Sequence, residues 1–266
     1  MRRTIRLYLK FIAIAIRSRM QYRANFLMSF FGVVALNFVN LSLLWVMVRN
    51  FNSLAGWNYW EMAMLYGSFL LSHCVHAVFF WHLPRIEHDI LRGNFDQYLL
   101  RPCSPLAQYL GKEVNYYGVP DFLLAMTIVS VSYSQLGLTW GVWKWVFFVM
   151  MVAAGFVIET AIGFVIGALA FWTGRSRALV QACSQFLWQL QNYPVDVFGR
   201  WYRLVVTSFL PFAFISYYPL TVLLEKQNAF DLPMLGFLSP LIALALLIIS
   251  LYVWKGGIAN YTSSGN

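Results

Sequence analysis

Apolar runs long enough to cross a bilayer alternate along this chain with short polar breaks. A helix needs roughly 20 apolar residues to span the hydrocarbon core. The pattern predicts six such helices, over residues 25–48, 61–82, 115–136, 143–171, 178–193 and 236–254. The fifth is short and is expected to continue irregularly. The alternation of barrel strands is absent, so the fold class expected is an all-α polytopic membrane protein. No stretch is long and polar enough for a separate soluble unit, and residues 1–266 read as a single transmembrane domain.

Two segments depart from the simple pattern. In residues 1–23, Arg2, Arg3, Arg6, Lys10 and Arg17 fall within an arc of about 100° on a helix, with Ile5, Tyr8, Ile12 and Ile16 on the other side. This predicts an amphipathic helix lying in the membrane interface; the alternative is a basic leader that only sets orientation. The apolar run Phe11–Ile16 is too short for a signal-peptide core. Residues 193–235 are apolar yet broken by Pro194, Pro211 and Pro219, and proline removes a donor and clashes with the preceding turn. Irregular backbone at membrane depth requires surrounding protein or a water-filled cavity. The segment is therefore expected to form short re-entrant or interfacial helices on the outer face, between spans five and six. A single kinked span is the alternative.

Charge sharpens the picture. Only 11% of residues are charged and the net charge is +9, against about 25% charged residues in a soluble domain. The sequence pI is ≈ 9.6 and the mean hydropathy +0.63. Such basicity would suggest nucleic acid in a soluble protein; here it fits inner loops beside anionic lipid headgroups, and no nucleic-acid partner is expected. With the N-terminus inside, the inner segments hold 14 of the 19 Lys and Arg residues, leaving Arg49, Lys144, Arg200, Arg203 and Lys226 outside. That asymmetry places both termini in the cytoplasm. Trp57, Trp60, Trp140, Trp143 and Trp145 then fall at the outer boundary as an aromatic belt. Cys74, Cys103 and Cys183 are too scattered to imply a disulfide framework.

Few residues carry candidate chemistry. Glu159 is the one acid deep within a span, and Gly155, Gly163 and Gly167 share its helix face at four-residue spacing. Small residues let another helix approach, and an intramembrane acid is costly. The face either lines a translocation path or permease interface, or locks helix packing. Asp121 follows Pro120 near the inner end of span three and suits a helix cap. His73 and His76 suit buried hydrogen bonding between helices, since a metal needs three or four convergent ligands. The chain has no G-x-x-x-x-G-K-[ST], H-E-x-x-H or G-x-S-x-G, so any energy for transport must come from a partner or an ion gradient.

The inner loop 83–114 is the most informative stretch. Pro84 can start a helix, Glu87 and Asp89 suit its first turn, and Gly93 can end it, which predicts a short helix over about 85–92. The loop mixes charge with aliphatic residues expected to be exposed, Ile86, Ile90, Leu99 and Leu100, a composition suited to docking on another protein.

Within that loop, "LRGNFDQYLLRPCSPL" resembles the first cytoplasmic loop of ABC-2-type transporter permeases of the small six-span group. Gly93, Phe95, Asp96, Tyr98, Leu99, Leu100, Arg101 and Pro102 fill its pattern, G-x-[LF]-[DE]-x-Y-L-[LI]-[RK]-P. A second match, "NYPVDVFGRWYRLVVTSFLPFAFISYYP", is similar to the family's Y-P segment and its downstream prolines. Tyr193, Pro194, Pro211, Ala213, Phe214, Tyr218 and Pro219 fill those places.

The resemblance implies a type V exporter-like half-transporter in a bacterial inner membrane, paired with a second permease, identical or homologous, and with two separate ATPase subunits. ATP and Mg would bind those partners; no cofactor is expected on this chain. Ile86, Glu87, Asp89, Arg92, Gly93, Asp96, Tyr98, Arg101 and Pro102 would form the ATPase-coupling surface. Tyr193, Pro194, Pro211, Tyr218 and Pro219 would belong to an outer re-entrant gate. Aromatic richness (18%) and the lack of a charged midplane site favour a bulky, amphipathic substrate such as a drug, lipid, glycan or peptide.

Three other readings compete. One is an ion-coupled carrier using Glu159, although such carriers usually show internal repeats and none is visible. The second is an intramembrane enzyme built on His76 and Glu159. The third is a membrane anchor that recruits an ATPase without transporting anything.

Overall fold

In the computed structural model the described residues are 23–51, 53–115 and 118–262, and most of them are helical. The interfacial helix expected over 1–23 lies outside them except for its last residue. The long helices are α1 (Arg23–Phe51), α2 (Tyr59–Phe79), α3 (Gly118–Gln135), α4 (Val142–Ala168), α5 (Arg177–Asn192) and α6 (Ser239–Asn260). They stand at the six expected places.

Their capacity to cross a membrane differs. Leu27–Phe51, Tyr59–Phe79, Val142–Thr173 and Pro233–Asn260 are long and apolar enough. Arg200–Phe209 and Phe212–Leu223 meet at a 75° bend and make a fifth if counted as one broken span. The protein is therefore an all-α polytopic membrane protein with four to five apolar spans. Neither α3 nor α5 is long and apolar enough to count. The reason is compositional: α3 opens with Pro120 and Asp121, and α5 carries Gln181, Gln185, Gln189 and Gln191 along only 16 residues.

Local sequence fixes several helix ends. The Asn58 side chain accepts from Glu61 N (3.0 Å) and Glu61 Oε2 accepts from Asn58 N (2.8 Å), a reciprocal cap at the start of α2. Lys226 Nζ reaches the same Glu61 oxygen at 2.7 Å. Gly174, with φ +65°, ends the short continuation of α4 at Ala170–Thr173.

Helix α2 is the axis of the bundle. Its apolar window is 78% buried, whereas that of α1 is 17% and that of α6 is 22%. It packs along α3 and α4, and α6 lies against α4. The exposed faces of α1 and α6 carry large apolar side chains, Met28, Phe31 and Phe38 on one and Leu241, Leu244 and Ile248 on the other. Lipid or another protein surface suits such faces.

A second cluster gathers around Phe95, which is wholly buried. Rings of Tyr98, Tyr109, Phe171, Trp254 and Tyr261 surround it at 5.0–6.3 Å between centroids. The loop between α2 and α3 is thus a folded platform, clamped to the end of α4 and the last turns of α6. Phe95→Ala should cost about 3–5 kcal/mol through the cavity it leaves. The expected outcome is a clearly lower thermal midpoint of the purified chain, read by size-exclusion fluorescence; an unchanged midpoint would show that the platform does not depend on this ring.

Candidate functional site

The platform realises the helix expected from Pro84 to Gly93. A 3-10 turn, Leu83–Arg85, leads into a helix at Ile86–Leu91. Gly93, with φ +66°, reverses the chain, a backbone conformation glycine adopts without strain. A further turn of helix follows at Asp96–Leu99. The expectation that Ile86 and Ile90 are exposed is corrected: both are buried in the Phe95 cluster. Leu99 and above all Leu100, 85% exposed, project from the surface, beside exposed Arg92, Arg101 and Pro102.

The acids of the platform are internal ties. Buried Asp89 accepts from Lys112 Nζ at 2.6 Å, and Asp96 Oδ1 accepts from the Tyr261 hydroxyl at 2.7 Å. Buried Tyr98 has its phenol pushed up to about 12 by desolvation and stays protonated. Glu87 does something the sequence did not suggest. Its carboxylate leaves its own helix and accepts from the backbone N–H of Ser176 and of Arg177, the latter at 2.5 Å. Those are orphan donors at the start of α5, where the Ser176 side chain supplies no cap. The loop therefore caps a bundle helix from a distance, with a negative charge at the positive end of the helix dipole.

Above the platform lies a cleft of about 560 Å³, bounded by α1, α2, α4 and α5. Its walls include Tyr66, Phe69, Trp81, Trp188 and Phe212, and its polar lining includes Asn37, Asn40, His73, His76, Asp121 and Glu159. His73 Nδ1 lies 2.7 Å from Glu159 Oε1, while Glu159 Oε2 is buried with no partner. His76, which the enzyme reading set beside Glu159, meets Thr160 Oγ1 at 3.1 Å. Phe69 stacks on the His73 ring at 5.9 Å and orients it further. Asp121 reaches across to α1, where its Oδ1 accepts from Asn37 Nδ2 at 3.1 Å. Asn37 Oδ1 in turn accepts from the Tyr66 hydroxyl at 2.5 Å. The bundle is thus not free of ionisable groups: Asp121, Glu159 and His73 collect in one cleft. Sequence spacing missed this because the three residues sit on three different helices.

The glycine face of α4 meets segments of this same chain. A Cβ at Gly155 would come 2.7 Å from the Ile215 carbonyl and 2.6 Å from Ser72 Oγ; at Gly167 it would come 2.7 Å from the Leu83 carbonyl. Gly163 has more room, its nearest neighbour being Pro84 Cγ at 3.4 Å. Gly167 therefore lets the platform's first turn sit directly on α4.

At the opposite end, the proline-broken segment folds back on itself. Tyr193 and Pro194 end α5 in extended backbone. Arg200–Leu204 widens into a π turn at Val205–Phe209, Pro211 marks the bend, and Tyr217–Leu223 returns as a buried helix. Pro219 lies in that helix's first turn, where a missing N–H leaves nothing unpaired. The Tyr218 hydroxyl and Thr207 Oγ1 are 2.7 Å apart. Asp196, which the sequence reading passed over, is the centre of this end. It accepts from Trp57 Nε1 (2.8 Å) and the Tyr217 hydroxyl (2.7 Å), and its carbonyl accepts from Arg203 Nη2 (2.6 Å). An acid two residues after a Y-P pair, in an otherwise apolar stretch, was the available signal. Nearby, Lys144 hydrogen-bonds the exposed Glu225 at 2.6 Å and holds its carboxyl below the usual range. Trp57 is buried with its indole bonded to Asp196, and Trp140 is buried among aromatic rings, whereas Trp143 is exposed.

Among the described residues, no group of three or more His, Cys, Asp and Glu side chains is placed to hold a metal ion. The chain matches the ABC-2 family transporter protein model over residues 33–265 and belongs to that family. It is a membrane permease component of an ABC-2-type transporter system, without a catalytic site of its own. No curated protein and no solved structure matches the chain significantly.

The glycine contacts give a contrast to test. Gly155→Ala should destabilise the purified chain by about 1–3 kcal/mol through overpacking against backbone. Gly163→Ala should be neutral or stabilise by up to about 1 kcal/mol, from helix propensity. Thermal midpoints of the two variants decide it, and an equal fall in both would refute the assigned approaches.

Proposed function

We propose that this chain is the transmembrane half of an ATP-driven exporter in a bacterial inner membrane, with both termini cytoplasmic. Two copies, or this chain and a homologue, enclose a path for a bulky or amphipathic substrate, and two ATPase subunits dock on the platform between α2 and α3. The observation that carries this reading is the form of the platform. A rigid aromatic base presents Leu99, Leu100, Arg101 and Pro102 outward, while Glu87 on the same base holds the N-terminus of α5. An apolar knob flanked by arginines is suited to a groove on a partner. Movement of the knob would be delivered to α5 through a charge-assisted hydrogen bond rather than through a flexible linker.

The second permease is supported by α5. Gln181, Gln185 and Gln189 form a stripe at four-residue spacing, and all three are exposed. Lipid is a poor neighbour for such a stripe; a facing subunit or a wet path is a good one. The bent pair and the Asp196 network at the far end would cap that path, in the role of an outer re-entrant gate.

Leu100→Asp should sharply reduce co-purification of the ATPase from native membranes, with insertion and thermal midpoint unchanged. Glu87→Gln should retain the ATPase but uncouple its hydrolysis from transport. Full ATPase recovery with the Leu100 variant would refute the docking assignment. In a chain with Cys74, Cys103 and Cys183 replaced by serine, Gln185→Cys should cross-link two permeases under mild oxidation. The absence of any permease–permease product would argue against this stripe as the subunit interface.

A further inference from the structure

The cleft above the platform carries two carboxyl groups in its lining. Asp121 and Glu159 line it from α3 and α4. Arg85 also reaches its edge, but it is paired with Glu113 at 3.5 Å. His76 is engaged by Thr160. That leaves His73 facing the two carboxyl groups.

Second, one acceptor is left over. Glu159 is 4% exposed, and its Oε2 has no hydrogen-bond partner. A buried carboxylate oxygen without a donor is costly, and Glu159 belongs to the lining of a cleft large enough for a drug-sized molecule. Third, the remaining walls are aromatic. Trp81 and Trp188 are half-exposed and line the same space. Aromatic faces and a carboxylate together are the chemistry that holds an organic cation.

From the cleft we infer that the substrate class is an amphipathic organic cation, whose charged centre sits between Glu159 and Asp121 and whose apolar body lies against Trp81 and Trp188. The inference rests on the permease reading above and narrows it: neutral glycans and anionic lipids lack a positive charge to set against the two carboxyl groups. His73 holds Glu159 Oε1 in place, and Oε2 has no donor.

The test is equilibrium dialysis of the full chain in detergent, against protein-free micelles, with labelled tetraphenylphosphonium. Tetraphenylborate, of nearly the same shape and opposite charge, is the control. Saturable retention of the cation in preference to the anion is expected. Glu159→Gln and Asp121→Asn should each weaken cation binding about tenfold or more, the loss of one charged contact. Equal retention of both ions, or cation binding unchanged in both variants, would overturn the inference. If Glu159→Gln cannot be recovered folded, Asp121→Asn and the cation-to-anion preference of the unaltered chain decide it. Recovery of the ATPase with the unaltered chain is scored separately. An ATPase that co-purifies with a chain indifferent to charge sinks this inference alone, and a cation-selective chain with no ATPase sinks the exporter reading instead.

Discussion

Within a bilayer the apolar surface of a helix does not choose its neighbour, because lipid tails are as apolar as leucine. What sorts these helices is a small number of polar contacts. Asn37, Tyr66 and Asp121 stitch α1 to α2 and α3. His73 and Glu159 join α2 to α4, and His76 with Thr160 repeats the join one turn on. Glu87 fastens the platform to α5. Helix α1 is largely bare of apolar packing, so its place depends on those few bonds. Each is short and mostly removed from water, the condition under which a single hydrogen bond has most effect on arrangement.

The same contacts create the sites. The stitches that orient α1, α2 and α4 also line the cleft between them, leaving one carboxylate oxygen spare. The close approach at Gly167 brings the platform's first turn onto α4, which puts Pro84 and Arg85 on the cleft's edge. The cleft and the outer surface of the platform are thus two faces of one packed unit. A displacement of the platform has a direct route both to α5, through Glu87, and to the cleft lining.

Much of this was legible in the sequence. Hydropathy placed all the long helices, because apolar runs and their breaks are local properties. Pro84 and Gly93 delimited the platform helix for the same reason, and the prolines at 194, 211 and 219 announced the bend. What could not be read was pairing. Ile86 and Ile90 look like docking residues until the Phe95 cluster is seen to enclose them. Spacing along one helix cannot say whether His73 or His76 faces Glu159, since both lie on plausible faces of α2. Asp196 is a single acid in an apolar segment, and only the fold brings Trp57, Tyr217 and Arg203 around it. The sequence also drew α3 and α5 as spans, yet neither is long and apolar enough to count as one; their polar residues depend for shelter on neighbours.

The aromatic clamp around Phe95 also imposes an order on the making of the protein. The platform is drawn from residues near 83–114, synthesised early, but Trp254 and Tyr261 come from the last part of the chain. Until α6 has been inserted, Phe95 has no complete pocket and the Leu99–Pro102 knob has no rigid base. A partner that reads the knob's geometry would therefore engage only a finished permease, and a truncated or stalled chain would be passed over. Quality control would then need no separate factor, being contained in the distance along the sequence between the two halves of one cluster.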